Sequence, residues 1–534
     1  MSDEIDSGLN FDNSYAEQLV GFYTSNQGDK APAPSIIAFN QSLARSLGLD
    51  LDKLSQRQLA AILSGGTHIK GATPLAQVYA GHQFGIFSPQ LGDGRSILLA
   101  EVLDDSGLRR DIHLKGSGRT AYSRSGDGKA GIGPVLREYL MAEAMQQLNV
   151  PTTRALSVVS TGEKIQRHKP LAGAVLARVA SSHVRVGTFE YFADRGQTDQ
   201  VKQLADYVIN RHFPQSSLSP LTQSHCYLQL LSEVCKSQAA LVSKWMNLGF
   251  VHGVMNTDNM SICGETIDYG PCAFIDSYDP KALFSSIDSQ GRYRYNNQAP
   301  AALWNLARLG ETLLPLIGTQ AKQTIEQAFN VSNDFSANYR QQWLERMRRK
   351  LAIYNEESED LALALTLMNS FQLNYQKFWL DGVRSKLGLS NAEPEDKKLA
   401  DDLLEIMAAQ KVDYTRLFRA LAQAVTGLQG PATDLFSHPL VFEQWLQRWS
   451  DRRERDPQTP VARAAAMNLV NPIYIPRNHL VEQAIKAAEE QADYGPFEKL
   501  QRVLNQPFTE REGLEEYAAA AGDASARYTT YCGT

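Results

Sequence analysis

The sequence predicts a mixed α+β fold, and three observations support this prediction. Strand patterns dominate residues 76–195, as in the polar and apolar alternation of DIHLK (111–115). One amphipathic helix, GPVLREYLMAEAMQQL (133–148), interrupts the strands, and from residue 200 the pattern is mostly helical. Because 534 residues are too many for one ordinary core, two to four substructures are expected.

Four regions follow from these patterns. Residues 1–75 are predicted to form an N-terminal extension of short helices, one of them through Ile36–Leu47. Residues 76–195 form a strand-rich lobe, and residues 196–389 form a helical lobe. After a charged link, residues 390–534 form a helical C-terminal extension.

Composition limits the classes of partner. Hydrophobic residues make up 43% of the chain, charged residues 21%, and the net charge is -6, which describes a globular protein with no general affinity for nucleic acids or membranes. The acidic start MSDEIDSGLN has the features of neither a signal nor a transit peptide. We therefore expect a cytoplasmic protein without nucleic-acid or membrane partners. Five scattered cysteines predict neither a disulfide scaffold nor a zinc site.

Positive charge is concentrated in one segment of this acidic chain. From Arg110 to Arg185 the sequence has twelve lysine and arginine residues against five acidic residues, and glycines are concentrated there as well. Such a segment suits a polyanionic ligand such as a nucleoside triphosphate, and the alternative is a solvated basic surface.

The turn LGDGR adds Gly92, Gly94 and Arg95 to the candidate residues for binding a polyanionic ligand. A Gly-Asp-Gly turn can simply close a hairpin, since glycine tolerates positive φ. It also allows backbone N–H groups to approach a phosphate, to which Arg95 would add a positive charge.

A long glycine-rich loop, KGSGRTAYSRSGDGKAGIG (115–133), follows the strand that ends at Lys115. It contains six glycines and four basic residues, with Asp127 and Gly128 near its centre, and it does not match a Walker A motif. Long loops between well-formed elements more often carry function than serve as linkers.

Lys115 and Glu138 lie in the order strand, glycine-rich loop, helix. Protein kinases place a phosphate-binding lysine and the glutamate that orients it in this order. The alternative is that both residues are exposed surface charges.

The stretch HGVMNTDN (252–259) has the outline of a kinase catalytic loop, His-Arg-Asp-x-x-x-x-Asn. His252 and Asn259 occupy the first and last positions, but Val254 stands where the catalytic base belongs. Asp258 is the neighbouring carboxylate that could act as the base from a shifted position.

The tripeptide Asp268-Tyr269-Gly270 follows nine residues after Asn259, in the place of the kinase Asp-Phe-Gly motif. Asn and Asp oxygens are hard donors suited to a Mg²⁺ ion that bridges phosphates. The sequence therefore predicts a metal site at Asn259 and Asp268.

With these motifs in place, the chain resembles the selenoprotein O family of kinase-like protein adenylyltransferases over nearly its whole length. The stretches that carry the resemblance are TPLAQVYAGHQFGIFSPQLGDGR (73–95), HLKGSGRTAYSRSGDGKA (113–130), LREYLMAEAM (136–145), HGVMNTDNMSI with DYGPCAF (252–274), and NPIYIPRNHLVEQAI (471–485).

The resemblance implies a two-lobed pseudokinase fold with N-terminal and helical C-terminal extensions. It implies that ATP binds in a flipped orientation with Mg²⁺ or Mn²⁺, and that AMP is transferred to hydroxyl side chains of protein substrates. Asp258 would accept the proton, Asn259 and Asp268 would hold the metal, and Glu138 would orient Lys115. The nucleotide-binding residues would be Gly92, Gly94, Arg95, Lys115, Asp127, Gly128, Arg178, Arg185 and Asp268.

The resemblance also implies a redox function for the tail, which ends Cys-Gly-Thr. We expect a reversible disulfide between Cys532 and Cys272, although the resemblance does not fix the partner. Cys263 is the alternative partner, and Cys226 and Cys235 are expected to be buried, inert thiols in an amphipathic helix.

Three other functions remain open at this point. A small-molecule kinase would transfer the γ-phosphate, and Val254 in the position of the base argues against it. A protein uridylyltransferase would use UTP with Mn²⁺. A pseudokinase scaffold would bind nucleotide without turnover.

Overall fold

The computed structural model describes residues 5–214, 223–332 and 360–521. Its largest sheet has eight strands whose neighbours run antiparallel, in the order β1-β3-β6-β7-β10-β9-β2, with β8 paired to β10. Two small hairpins, β4–β5 and β11–β12, lie outside it. The strands are β1 (Tyr23–Ser25), β2 (Ser35–Phe39), β3 (Leu75–Gln77), β4 (Gly81–Gln83), β5 (Ile86–Ser88), β6 (Ser96–Leu103), β7 (Arg109–Lys115), β8 (Ala130–Gly131), β9 (Arg154–Gln166), β10 (Pro170–Ala180), β11 (Phe250–Val251) and β12 (Ala273–Phe274).

Helices make up most of the described chain after β10. A π-helical turn, Met368–Leu373, joins α9 to α10. The helices are α1 (Ser14–Gln18), α2 (Gln41–Ser46), α3 (Gln56–Ser64), α4 (Ile132–Gln147), α5 (Val186–Asp194), α6 (Thr198–His212), α7 (Gln223–Leu248), α8 (Gln298–Ser332), α9 (Asp360–Leu367), α10 (Asn374–Lys386), α11 (Asp396–Gln410), α12 (Tyr414–Ala424), α13 (Gly430–Thr433), α14 (Pro439–Glu454), α15 (Pro460–Val470), α16 (Asn478–Gln491), α17 (Gly495–Leu504) and α18 (Glu515–Ala518).

The predicted mixed fold is confirmed, but the helix expected through Ile36–Leu47 is wrong in its first half. Ile36 belongs to β2 and pairs with Val159 of β9, because this short apolar run completes the edge of the sheet. The helix begins only after Asn40, whose side chain accepts a hydrogen bond from the backbone N–H of Leu43 at 3.1 Å. Tertiary strand pairing thus overrides the helical pattern of the segment.

The sheet buries side chains on both faces. Helices α2 and α3 cover one face, and α4 packs against β9 and β10 from the other. Helix α4 is also covered by α16, so the C-terminal helices reach the sheet layer through it. This sandwiched position explains why nearly all of α4, including Glu138, is buried. Among the described helices, none is both long and apolar enough to span a membrane.

A lysine is buried between two of the C-terminal helices, α10 and α12. Lys386, the last residue of α10, is 4% exposed, and its ammonium lies 4.1 Å from the ring centroid of Phe418 and 5.0 Å from that of Tyr414. Burial lowers the pKa of Lys386 from 10.5 to about 7. The folded state therefore penalises the charged form, fully below pH 7 and progressively less as the pH rises towards 10.5.

We expect Lys386→Met to stabilise the protein in a pH-dependent way. The gain in free energy of unfolding is about 2 kcal/mol at pH 6 and shrinks towards zero at pH 10, since the penalty on the charged lysine disappears there. Urea unfolding at the two pH values measures it. Lys397→Met, on the exposed surface of α11, is the control and should change little. An equal gain at both pH values would contradict the assigned cause.

Candidate active site

Strand β7 divides its side chains between two environments. Ile112 and Leu114 face the apolar layer under α2 and α3, so the alternation of a strand turns His113 and Lys115 to the opposite face. Strand β10 runs antiparallel beside β7 with Arg178 directly opposite His113. The sheet register therefore brings basic residues from two strands to one face.

The structure brings the predicted pair Lys115 and Glu138 together. The Lys115 ammonium lies 2.7 Å from Glu138 Oε2 and 2.6 Å from Asp268 Oδ1. Glu138 is held on α4, and Asp268 lies in the segment that precedes β12. One lysine thus connects the sheet, the helix and the segment of the DYG motif.

Two arginines complete the cluster around Asp268. Arg178 donates from one terminal nitrogen to Glu138 Oε1 and Asp268 Oδ1, both at 2.8 Å, and Arg185 donates to Asp268 Oδ2 at 2.9 Å. Burial by itself would raise the pKa of Asp268, but Arg178, Lys115 and Arg185 hold that pKa well below its usual value. The carboxylate is therefore ionised and shared by three cations.

His113 supports this cluster and was missed in the sequence. Its Nδ1 faces Nε of Arg178 at 3.3 Å, and its Nε2 faces Asp93 Oδ2 at 3.2 Å. Because Nε of arginine only donates, Nδ1 must accept and the proton of the neutral ring must lie on Nε2. Burial lowers the pKa of His113, in agreement with a neutral ring. The alternation in DIHLK, which puts His113 on the face of Lys115, was the available signal.

Asp258 lies at the same cavity in a short 3₁₀ turn, Thr257–Asn259. Its Oδ2 accepts a hydrogen bond from Nε2 of Gln83 at 3.1 Å, and its Oδ1 has no hydrogen-bond partner in the described chain. Burial raises the pKa of Asp258 to about 6. A buried carboxylate with one unengaged oxygen and a pKa near neutrality has the properties of a general base.

One hairpin holds both the stretch that resembles the kinase catalytic loop and the DYG motif. Strands β11 and β12 pair at its base, and residues 252–272 lie between them. His252 closes the base by donating from Nε2 to the carbonyl of Ile267 at 2.9 Å. Asn259 donates from its amide to the carbonyl of Val254 at 3.0 Å. The carbonyl oxygen of the Asn259 side chain is then the atom left for a cation.

The glycines of LGDGR allow close packing against Tyr122 of the glycine-rich loop. Gly92 has φ +102, and a Cβ there would lie 2.5 Å from the ring of Tyr122. A Cβ at Gly94 would lie 2.8 Å from the carbonyl oxygen of Tyr122. The turn and the glycine-rich loop therefore pack closely together, which the separate motifs did not predict.

Asp127 is held by Arg167, a second residue that the sequence did not reveal. The two side chains form a bidentate pair, with nitrogen–oxygen distances of 2.8 and 3.0 Å. Arg167 also donates to the carbonyl of Lys129 at 2.8 Å, and it lowers the pKa of Asp127. Arg167 lies in the β9–β10 turn, 40 residues from Asp127, so nothing local in the sequence indicates the pair.

These side chains line one cavity of about 820 Å³. Glu138 lies behind Lys115 rather than at the cavity wall. The predicted residues that line it are Gly92, Gly94, Arg95, Lys115, Asp127, Gly128, Arg178, Arg185, Asp258, Asn259 and Asp268.

The four cysteines in the described part of the chain are not among the residues that line this cavity. Cys272 is fully buried, whereas Cys532 falls outside the described residues, so their disulfide stays a prediction. Burial raises the thiol pKa of Cys263 and of Cys235, which agrees with an inert Cys235. Cys226 is only half-buried, so the expected full burial is wrong for it, because it lies on a less covered side of α7.

The donor set fits a divalent metal bound together with phosphates. Asp268 is ionised and Asn259 has its carbonyl oxygen available, and both line the cavity. Two oxygen ligands are fewer than the six that Mg²⁺ takes, so phosphate oxygens and water would supply the rest. The neighbouring Lys115, Arg178 and Arg185 provide the charge that polyphosphates require.

A basic cavity with an asparagine and an aspartate for a metal, and with a separate buried carboxylate, is typical of enzymes that act on nucleotide phosphates. Comparison with known proteins narrows the class. The family model described as "Protein adenylyltransferase SelO" matches residues 7–505.

Relatives of similar length agree with this family. The chain is 47% identical over 526 residues to Protein nucleotidyltransferase YdiU of Rhizobium rhizogenes, covering 98% of this chain and 97% of that protein. It is 49% identical over 533 residues to the protein of that name from Cereibacter sphaeroides, covering 98% and 99%. It is 48% identical over 505 residues to the one from Chromobacterium violaceum, covering 94% and 97%.

The chain belongs to the SelO family of nucleotidyltransferases, as the sequence motifs predicted. Membership implies a nucleotide substrate, a protein substrate and the use of a divalent metal ion.

Proposed function

We propose that this chain is a protein adenylyltransferase with a kinase-like, two-lobed fold. It transfers AMP from ATP to serine, threonine or tyrosine hydroxyls of protein substrates, and ATP binds in the reverse of the usual kinase orientation. One observation carries the proposal. The cationic cluster on Asp268 and the carboxylate of Asp258 line the same cavity, while Val254 occupies the usual position of a kinase base.

The proposed step is an in-line displacement at the α-phosphorus. The acceptor hydroxyl oxygen forms a bond to the α-phosphorus, and its proton passes to the carboxylate of Asp258. The bond between the α-phosphorus and the oxygen that bridges to the β-phosphorus breaks, and pyrophosphate leaves. Lys115, Arg178 and Arg185 stabilise the charge that develops on this leaving group, because they are already fixed in place around Asp268.

Asn259 and Asp268 are the residues that would hold Mg²⁺ or Mn²⁺. The metal would supply electrostatic stabilisation of the phosphate oxygens. Glu138 keeps both Lys115 and Arg178 oriented by accepting from each with a different carboxylate oxygen.

Labelled nucleotides test the proposal directly. The protein is incubated with casein as acceptor and with ATP labelled at either the α- or the γ-phosphate, or with α-labelled UTP. Label from α-ATP on protein supports adenylyl transfer. Label from γ-ATP on any acceptor would indicate a kinase, label from α-UTP alone a uridylyltransferase, and no label a nucleotide-binding scaffold.

We expect Arg167→Ala to weaken the binding of ATP without slowing the chemical step. Loss of the bidentate pair releases Asp127 and the glycine-rich loop, so the KM for ATP should rise about tenfold while kcat changes less than about threefold. Steady-state kinetics with α-labelled ATP measures both. Lys169→Ala, an exposed change in the same turn, is the control. If the two variants have equal KM and kcat values, Arg167 does not contribute to nucleotide binding.

A further inference from the structure

The β4–β5 hairpin places an aromatic residue where a turn favours asparagine or glycine. The strands Gly81–Gln83 and Ile86–Ser88 are joined by only two residues, Phe84 and Gly85, with φ +52 and +86. Positive φ at both positions is the geometry of a type I′ turn. For a bulky side chain such as Phe this backbone conformation is an outlier, which points to a function for the ring.

Several contacts hold Phe84 beside the proposed base. Its backbone N–H donates to Oδ1 of Asn256 at 3.1 Å, and its ring lies 5.2 Å from that of Tyr293. The preceding residue, Gln83, donates to Asp258 at 3.1 Å. The hairpin tip is therefore fixed to the same loop that carries Asp258.

Apolar side chains form part of the cavity wall. Phe84 and Val254 line it together with Ile287, which is 60% exposed. Ile86, two residues after Phe84 on the hairpin, is 77% exposed. The basic residues that surround Asp268 come instead from the sheet and from the start of α5. The cavity that Asp258 lines thus offers hydrophobic contact as well as positive charge.

We propose that Phe84, with Ile287, is a specificity-determining residue that selects acceptor segments with an apolar side chain next to the hydroxyl residue. The inference rests on the proposed adenylyl transfer. An acceptor hydroxyl must reach the carboxylate of Asp258, which lines the same cavity as Phe84, and consecutive Cα atoms are only about 3.8 Å apart. The side chain beside the hydroxyl residue therefore comes close to Phe84, which is fixed to the loop of Asp258, and Ile287 lines the same cavity. Burial of an apolar side chain against this wall favours binding, whereas a charged one loses its water without a partner.

The test uses Phe84→Asn, because asparagine suits both turn positions and should preserve the hairpin. Leu108→Asn is the matched control, an apolar residue 55% exposed in the turn between β6 and β7, away from the cavity. Synthetic peptides carry one serine, threonine or tyrosine, flanked by leucine, alanine, asparagine, lysine or aspartate. Transfer of label from α-labelled ATP is measured for each peptide, with ATP affinity and thermal unfolding of each variant.

We expect Phe84→Asn to change only the preference among acceptor peptides. Wild type and Leu108→Asn should show a KM about tenfold lower for leucine-flanked than for asparagine-flanked peptides. Phe84→Asn should bring this ratio close to one, with unchanged ATP affinity and unchanged rate on saturating alanine-flanked peptide. A preserved preference, or loss of all transfer with intact ATP binding, would overturn the assignment of Phe84. Absence of label with wild type would overturn the adenylyl transfer itself and this inference with it.

Discussion

Asp268→Asn should lower the rate of AMP transfer by about a thousandfold. It should also abolish the effect of the metal ion on the affinity for ATP. The variant keeps the shape of the side chain but removes the charge shared by Lys115, Arg178 and Arg185. Those cations remain available to phosphates, so ATP binding without metal should be as tight as in wild type or tighter. Added Mg²⁺ should no longer improve it. Calorimetric titration with and without Mg²⁺, together with α-label transfer, measures both effects.

The control for this prediction is Asp279→Asn, an exposed aspartate shortly after β12. It should retain wild-type transfer and a wild-type response to Mg²⁺. Thermal unfolding of Asp268→Asn shows whether the loss of a buried charge also affects folding. Wild-type turnover in Asp268→Asn would contradict the metal assignment.

Asp258→Asn should lower kcat by about a thousandfold and leave the affinity for ATP within about threefold of wild type. The amide can still accept the hydrogen bond from Gln83, so the position of the loop is preserved, but it cannot accept a proton at pH 7. Single-turnover transfer and equilibrium binding of ATP separate the two quantities.

If the variant mainly weakens ATP binding, Asp258 is a ligand and the base lies elsewhere. Val254→Asp provides a further comparison. It restores a carboxylate at the usual kinase position, yet it should not produce γ-phosphate transfer, because the reversed nucleotide presents the α-phosphorus to the acceptor.

Local patterns in the sequence predict the residues that act within one element or one motif. The alternation of DIHLK and the apolar stripe of α4 were sufficient to bring Lys115 and Glu138 together, since the strand, loop and helix follow each other directly. His252, Asn259 and Asp268 could likewise be predicted from their spacing, because they follow each other closely in the chain and lie within one β-hairpin. Membership of the family was predicted from long motifs and confirmed by comparison.

Contacts between distant segments could not be predicted from these patterns. Arg167 reaches Asp127 because the β9–β10 turn extends over the glycine-rich loop, and Gln83 reaches Asp258 across 175 residues. The first half of the helix predicted through Ile36–Leu47 is a strand instead, because it pairs with β9. In each case the interaction that decides the outcome joins distant segments, and such contacts leave no periodic pattern in the local sequence.

The mass of the modified acceptor tests the central claim most directly. Casein is incubated with ATP, Mg²⁺ and either wild-type protein or Asp258→Asn, and its peptides are examined by mass spectrometry while released pyrophosphate is quantified. We predict adenylate on hydroxyl side chains, in a one-to-one ratio with pyrophosphate, in the wild-type reaction and neither product with Asp258→Asn. Phosphate on those side chains with ADP as the co-product, or modification that persists in Asp258→Asn, would contradict it.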